Sequence, residues 1–440
     1  MQERRLRVEV FDKTNINNNF FDMAIKKIWL VNKYAMPPKY ESRLRTIKFA
    51  HYLQEMEYEV TIFGCNIMHN MNLDLIEDDK LYIERQYDDL KFVHVKSSPY
   101  QGTAGMKRII SEIKFHYNLV KVMKQMPKAD LIVATTDALI SNPVMTWAHK
   151  NGIKYVKEVL DMWPDIFMDM GLIGPNNPAM KYLLFRAKKN YSEADAAIFS
   201  LTECFDYFKR KKWDREQGGP VDLKKIFYIN NGVDLKDFNC WKSVNVLDDE
   251  DLRSDKKKII YLGSIRLVNN VAQLIKAAEQ LQDITDVIFL IYGDGDDREP
   301  LIKYCKDHEI KNVKFKAKWT DPKYVPYILS QSYVNILNYI NSDFAKYGIS
   351  SSKMFQYMAS GRPIVCNINI PQCPITRNQI GIAHEMRNEW DYAKAIHSIL
   401  ELSPSEYLDM CERAKEVAKT YDYEYLTNKM IEVINYLDKK

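Results

Sequence analysis

The chain has 440 residues, of which 46% are hydrophobic and 28% are charged, and its net charge at pH 7 is +4. This length predicts two or three domains, and the composition is that of a globular protein. The mild charge does not indicate nucleic-acid binding, and no nucleic-acid motif is visible. No run of about 18 apolar residues occurs, so the sequence predicts no membrane-spanning helix.

The cysteines and the N-terminal residues indicate a cellular compartment. Seven cysteines are scattered along the chain without a CxxC pair. This pattern predicts reduced thiols in the cytoplasm and argues against a zinc site. Residues 1–22 are polar and lack the apolar segment of a secretory signal, so we expect a polar extension there.

Short apolar segments alternate with helical patterns through the first half of the chain. Strand, helix and strand in this order predict a parallel α/β sheet. The predicted strands are 28–31, 60–63, 92–95, 131–134 and 226–229, with helices at 43–55 and 106–126.

The same pattern starts again after a turn signal at 230–234 and a polar tract at 237–258. The sequence therefore predicts two doubly wound domains, joined near Gly232 and facing a cleft. Ligands of such sheets bind at the carboxyl ends of the strands. The predicted elements of the second half are strands 259–262, 287–292, 313–315 and 334–337, with a helix at 271–281.

The segment 348–365, GISSSKMFQYMASGRPIV, predicts an anion site. Small polar residues and Lys353 precede a helical pattern, and Gly361 leads into the next apolar run. Backbone N–H groups at a helix N-terminus attract anions, and a lysine beside them adds positive charge.

Four segments of the second half, in this order, resemble motifs of family 4 glycosyltransferases: 229–234, 261–266, 292–295 and 348–365. In the first half, residues 156–165 (VKEVLDMWPD) resemble a segment of the subgroup that builds bacterial surface polysaccharides such as capsule and lipopolysaccharide.

The resemblance implies a GT-B architecture and a retaining transfer of a sugar from a nucleotide sugar, with a UDP-sugar as the expected donor. Residues 23–232 would form the acceptor-side domain and 233–420 the donor-binding domain. The last helix, within 421–440, would cross back to the first domain.

The resemblance also assigns donor-binding residues. The leaving nucleoside diphosphate gains negative charge, which fixed cations and helix amides can stabilise. With such cations present, we expect that neither a divalent metal nor another cofactor is required. The implied donor-binding residues are Gly263, Ser264, Arg266, Gly293, Asp294, Ser352, Lys353 and Gln356.

The chain departs from the family pattern at four of the positions that carry charge. Ser264 stands where many members have arginine, and Asn269 where they have lysine. Gly348 and Gln356 replace the two glutamates of the E-x7-E pair. The amide carbonyl of Gln356 can still accept a hydrogen bond from the donor ribose, and its NH₂ group adds a donor.

Two aspartates are candidates for acceptor-side chemistry. Asp161 ends a predicted strand of the first domain, where its carboxylate would orient the acceptor hydroxyl or take its proton. Asp137, which follows the strand at 131–134, is the second candidate.

Two stretches, 181–189 and 209–213, place lysine and arginine beside leucine, phenylalanine and tryptophan. This composition suits an anionic membrane surface, and it equally suits a solvated helix face. The membrane interpretation agrees with a lipid-linked saccharide acceptor and a peripheral position at the inner face of the cytoplasmic membrane.

Two other functions remain open at the sequence level. One is a nucleotide-sugar epimerase or hydrolase of the same fold, although no histidine lies in the motifs that such chemistry would use. The other is a non-catalytic binding protein of GT-B shape, which the departures at Ser264 and Gln356 would permit.

Overall fold

The computed structural model of the chain describes residues 25–40, 44–68, 73–99, 106–135, 142–169, 171–340 and 343–439. The predicted extension at 1–22 and the candidate Asp137 lie outside these residues. The described part folds into two α/β sheets of eight and six strands, which confirms the predicted fold class.

The first sheet has the order β3-β4-β2-β1-β5-β6-β7-β8. All neighbours are parallel except β3 and β4, which form an antiparallel pair at one edge. The strands are β1 Lys27–Asn32, β2 Glu59–Cys65, β3 Tyr82–Tyr87, β4 Leu90–Val95, β5 Leu131–Thr135, β6 Lys154–Val159, β7 Ala196–Phe199 and β8 Ile226–Tyr228. The helices of this half are α1 Arg45–Glu55, α2 Met106–Met123, α3 Pro143–Lys150, α4 Ile166–Asp169, α5 Pro178–Glu193 and α6 Cys204–Arg210.

The second sheet is fully parallel, in the order β11-β10-β9-β12-β13-β14. Its strands are β9 Lys257–Leu262, β10 Val287–Tyr292, β11 Val313–Phe315, β12 Val334–Leu337, β13 Ile364–Cys366 and β14 Gly381–Ala383. Its helices are α7 Leu235–Val244, α8 Glu250–Arg253, α9 Val271–Glu279, α10 Arg298–Asp307, α11 Val325–Ser330, α12 Ser352–Ala359, α13 Pro374–Arg377, α14 Glu389–Leu400 and α15 Pro404–Lys419.

The last helix, α16 (Tyr423–Asp438), packs on the first domain, where its buried face joins the core of α1 and β1. The chain therefore passes between the domains twice, and the two crossings lie side by side. Val233 and Asp422 form a parallel bridge, and Val233 N–H donates to the carbonyl of Tyr421 at 3.0 Å. A side chain at Gly232 would collide with that same carbonyl, since its Cβ would lie 2.3 Å away.

A buried arginine fixes the first crossing to the first domain. Arg45 on α1 forms an ion pair with Glu158 on β6 at 2.8 Å and donates to the carbonyls of Ile229 and Asn230. Breaking one partner of a buried pair leaves an uncompensated charge, so this contact holds the crossing in place.

Candidate active site

The strand order of the second sheet locates its ligand crevice. β10 and β11 lie on one side of β9, whereas β12, β13 and β14 lie on the other side. The order in which strands are added to the sheet therefore reverses between β9 and β12. Ligands of doubly wound sheets bind at such a switch point, outside the carboxyl ends of the strands. The loops that follow β9 and β12 carry the segments 263–269, 338–340 and 343–351, so the predicted motifs converge there.

The first of these loops is held against the end of β10. Gly263 N–H donates to the carbonyl of Tyr292 at 3.1 Å, and Ile265 N–H donates to that of Asp294 at 2.8 Å. Gly293 has φ +123°, and a Cβ there would lie 1.9 Å from the carbonyl oxygen of Gly263. Only glycine fits at this position, because both the backbone conformation and the close approach exclude a side chain.

Lys353 reaches this loop from the first turn of α12. Its Nζ lies 5.4 Å from the centre of the Tyr261 ring and 3.2 Å from where a Cβ on Gly263 would stand. Burial lowers the pKa of Lys353 to about 8, and in the described part of the chain no carboxylate forms an ion pair with it. A half-buried lysine without a counter-ion, set at a helix N-terminus, is suited to binding an anion.

Ser264 and Asn269, two of the departures from the family pattern, bind each other. Asn269 Nδ2 donates to Ser264 Oγ at 2.7 Å and to the Ser264 carbonyl at 2.9 Å. Arg266 and Asp294 are exposed beside them, and the stem of Arg266 lies against Gly295. Arg266 is therefore the cation of this loop that can still turn toward a diphosphate.

The remaining predicted donor residues lie on α12. Ser352 is exposed at the first position of the helix, and Gln356 is half-buried one turn after Lys353. The next residue, Tyr357, is fully buried and donates its hydroxyl to the carbonyl of Leu262 at 3.3 Å. This contact fixes α12 against the end of β9 and so sets the distance of Lys353 from the Gly263 loop.

A cavity of about 400 Å³ lies between the two domains. On the second-domain side it borders the Gly263 loop through Asn269 and the start of α12 through Ser351. On the first-domain side it borders the segment that follows β6. The first-domain residues that line it are Leu160, Asp161, Met162, Ile166, Asp169 and Leu201.

Asp161 therefore lines the cavity from the first domain, and Asn269 and Ser351 line it from the second domain. Its side chain is open to the cavity, while the surrounding protein partly desolvates the carboxylate and raises its pKa. The positive charge of Arg108 opposes this shift. A carboxylate with a raised pKa at a cleft is suited to accepting a proton.

Arg108, on α2, is a cleft residue that the sequence did not indicate. Its guanidinium lies 5.7 Å from the Trp163 ring and 5.8 Å from the Tyr34 ring. Planar contacts of this kind hold a guanidinium in place beside aromatic rings. Arg108 lies 53 positions before Asp161 in a lysine-rich helix, so only the folded chain shows that they are neighbours.

The two predicted basic stretches differ in where their aromatic residues lie. In 209–213, Trp213 is 8% exposed and belongs to a hydrophobic core, and Lys211 pairs with the buried Asp165 at 2.6 Å. Lys209, Arg210 and Lys212 of this stretch are exposed, but its aromatic residue is not. In 181–189, by contrast, Tyr182 and Phe185 are exposed on α5.

Within the described part of the chain, no group of three or more histidine, cysteine, aspartate or glutamate side chains could hold a metal ion. None of the helices described there is long and apolar enough to cross a bilayer.

Residues 246–420 match the family model of the glycosyl transferases group 1. No curated protein sequence matches the chain. Three solved structures illustrate its fold. Sucrose-phosphate synthase from Thermosynechococcus elongatus is 15% identical with a TM-score of 0.67, covering 93% of this chain and 98% of that one. Trehalose 6-phosphate synthase from Burkholderia multivorans is 13% identical with a TM-score of 0.70 and the same coverage.

The third structure is HepE from Anabaena in complex with UDP. It is 13% identical, has a TM-score of 0.63, and the match covers 93% of this chain and all of that one. At these identities the likeness establishes the fold, which is the GT-B arrangement of two Rossmann-like domains. The match at 246–420 contains β9 to α15, and thus the segments of the anion site.

Proposed function

We propose that this glycosyltransferase of the GT-B type, whose second domain matches the group 1 family model, transfers a sugar from a nucleotide-sugar donor to a saccharide acceptor. The transfer would retain the configuration of the sugar. The observation that carries this proposal is Lys353, which has no carboxylate partner in the described residues and lies against the Gly263 loop at the switch point. UDP is the expected nucleotide, because the similar HepE structure holds UDP.

The second domain would bind the donor. Lys353, Arg266 and the first amides of α12 stabilise the charge that develops on the departing diphosphate. Because these cations are part of the protein, the transfer needs no divalent metal. Gln356, one turn further along α12, accepts a hydrogen bond from the donor ribose. On this view Gln356→Leu loses donor affinity, whereas Gln356→Glu preserves it.

The first domain would bind the acceptor. Asp161 orients the attacking hydroxyl or takes its proton, and Arg108 and Trp163 form the wall beside it. No residue in the described cleft stands out as a nucleophile, which favours attack by the acceptor on the same face that the diphosphate leaves. The resemblance of residues 156–165 favours an acceptor of bacterial surface-polysaccharide assembly, carried on a lipid.

A nucleotide screen followed by a turnover assay tests this function. We expect UDP to raise the melting temperature more than GDP or ADP does, since a ligand at 100 times its Kd stabilises a protein by about 2.7 kcal/mol. With a UDP-sugar and an acceptor saccharide, free UDP should accumulate together with a glycosylated product. Without an acceptor, release of UDP would support the hydrolase alternative, and conversion of the donor into an epimeric UDP-sugar would support the epimerase alternative. Binding without turnover would support a non-catalytic protein.

We further propose that the protein works at an anionic membrane surface through a basic face formed by α2 and α5. Three exposed lysines recur every seven residues on α2 with Ile110 and Tyr117 between them, each 52% exposed. On α5, Tyr182 and Phe185 are 50% and 61% exposed. A groove that contains Tyr117, Lys150 and Arg186 joins the two helices. The lysines of the basic face are Lys107, Lys114 and Lys121 on α2, Lys124 directly after it, and Lys181 and Lys189 on α5.

Vesicle flotation should detect this association. Each basic residue near an anionic leaflet contributes about 1 kcal/mol, and salt screens it within a Debye length. The protein should therefore bind anionic vesicles at low salt and detach at high salt, and replacing Lys114, Lys121 and Lys181 by serine should abolish binding.

The matched control replaces three exposed lysines of the second domain, Lys276, Lys306 and Lys311, by serine. This variant has the same net charge as the first one and should bind vesicles as the unmodified protein does. The membrane proposal would be contradicted if both variants lost vesicle binding equally, or if the unmodified protein did not bind anionic vesicles at low salt. Either result would favour a soluble acceptor.

A further inference from the structure

The segment 345–350, here called the clasp, belongs to the second domain but lies against the first. It follows β12 and ends directly before α12, which carries Lys353. Tyr347, in the middle of the clasp, is 7% exposed and is part of a hydrophobic core. Every other buried member of that core lies between residues 159 and 226, in the first domain.

Directed contacts fix Tyr347 in that core. The edge of its ring meets the Tyr207 ring, with the centroids 5.3 Å apart, and the Arg210 guanidinium lies 5.7 Å from its centre. The Tyr347 carbonyl accepts a hydrogen bond from Glu203 N–H at 3.1 Å. Next to it, Lys346 Nζ pairs with Asp169 Oδ1 at 2.5 Å. The clasp thus binds the first domain through an aromatic ring, a backbone bond and an ion pair.

Gly348 of the clasp packs directly against Thr202 of the first domain. Its φ is +97°, and a Cβ there would lie 2.3 Å from Thr202 Oγ1 and 3.0 Å from Thr202 N. A residue with a side chain would have to push the two domains apart. This contact gives a physical reason for glycine at a position where the resembled family has a glutamate.

The other end of the clasp is joined to the first crossing between the domains. Asn231 N–H donates to Ser350 Oγ at 3.1 Å, and Asn231 Nδ2 donates to the Ser350 carbonyl at 2.7 Å. The clasp is therefore held at Thr202 and at Asn231, while α12 itself packs in the core of the second domain. Asp161 lines the cavity that the clasp helps to enclose from the first domain, and Asn269 and Ser351, which neighbour the anion site in sequence, line it from the second.

We infer that Tyr347 and Gly348 are positioning residues that hold the two domains at the spacing at which the anion site faces Asp161. The inference rests on the proposed function for its catalytic consequence. The diphosphate site lies within the second domain, so the clasp does not create it. The clasp instead sets the distance across the cavity between the bound donor and the Asp161 carboxylate.

Gly348→Ala in the full chain tests the inference. The new methyl group meets Thr202, so the domains should separate. We expect kcat to fall at least tenfold while the Kd for UDP, measured by calorimetry, changes less than threefold. Small-angle X-ray scattering should show a larger radius of gyration. A purely structural role would lower the melting temperature without this separation of kcat from Kd.

A compensating substitution distinguishes the collision from other causes. Thr202→Ala removes Oγ1, the atom nearest to the new methyl group. The double variant Gly348→Ala with Thr202→Ala should recover part of the lost kcat and a smaller radius of gyration than the single variant has. The positive φ at position 348 remains unfavourable for alanine, so recovery should be incomplete. Thr202→Ala alone also loses the hydrogen bond that Thr202 Oγ1 donates to the Pro371 carbonyl at 3.4 Å, so it is the reference with which the double variant is compared.

A second variant, Lys346→Ala, tests the clasp if Gly348→Ala does not fold. It removes the ion pair with Asp169 and the contact of the Lys346 ammonium with the Tyr347 ring, and it should lower kcat about threefold at an unchanged Kd. Unchanged kcat and scattering in a folded Gly348→Ala would overturn the inference, as would a loss of UDP affinity equal to the loss of kcat. If the unmodified protein turns over no donor, the proposed function fails, but scattering of the same variants still tests the clasp.

Discussion

Lys353→Ala should weaken the binding of UDP at least about tenfold. A charge-assisted hydrogen bond of this kind contributes roughly 1.5–3 kcal/mol, and about 1.4 kcal/mol corresponds to a factor of ten. Calorimetry with the folded variant measures the effect. Lys276→Ala, at an exposed position on the same domain, is the matched control and should bind UDP normally.

The lowered pKa of Lys353 gives this prediction a pH dependence. Burial lowers the pKa from 10.5 to about 8, and a bound diphosphate should raise it again by supplying the missing negative charge. UDP affinity should therefore be highest below pH 8 and fall as the pH rises past it. Near pH 8 to 9, binding should take up a proton, which appears as a dependence of the binding enthalpy on the buffer.

The stability of the ligand-free protein should change in the opposite direction. Between about pH 8 and 10.5 the unfolded chain holds the Lys353 proton more tightly than the folded chain does. The contribution of this group to the free energy of unfolding thus rises with pH across that window. Lys353→Met should lose both the proton uptake and this contribution. Unchanged UDP affinity and unchanged proton uptake in that variant would show that Lys353 only supports the helix.

Asp161→Asn should reduce turnover about a hundredfold or more, because positioned general bases contribute roughly 10² to 10⁴ in rate. The Kd for UDP should not change, since the proposed donor site lies mainly on the second domain. Asp88→Asn, at an exposed turn of the first domain, is the matched control and should keep full turnover.

The raised pKa of Asp161 predicts the shape of the pH profile. Only the ionised carboxylate can take a proton from the acceptor, so turnover should fall on the acid side. That decline should lie at higher pH than the usual range of an aspartate. Normal turnover in a folded Asp161→Asn would remove this residue from the mechanism and leave Asp137 as the candidate.

The sequence by itself determined the two-domain fold and the positions of the segments for which we propose donor binding. The predicted strands match the observed ones to within about two residues, because the buried strands of parallel sheets form short apolar runs that are visible locally. Gly263, Gly293 and Lys353 were also predictable, since a tight turn at a strand end and a cation at a helix N-terminus are properties of a few neighbouring residues. The helix α7, which lies in the polar tract at 237–258, was missed because most of its side chains face solvent.

Only the tertiary structure decided which residues face each other across long stretches of chain. Trp213 lies in a basic segment and suggested a membrane surface, yet the fold buries it against Tyr191 and Tyr207. Asn269 donates a hydrogen bond to Ser264 Oγ. Thr202 leaves no space for a side chain at Gly348, which lies 146 positions further along the chain. Such contacts depend on the packing of whole domains, and local patterns of hydrophobicity and turn residues carry no information about them.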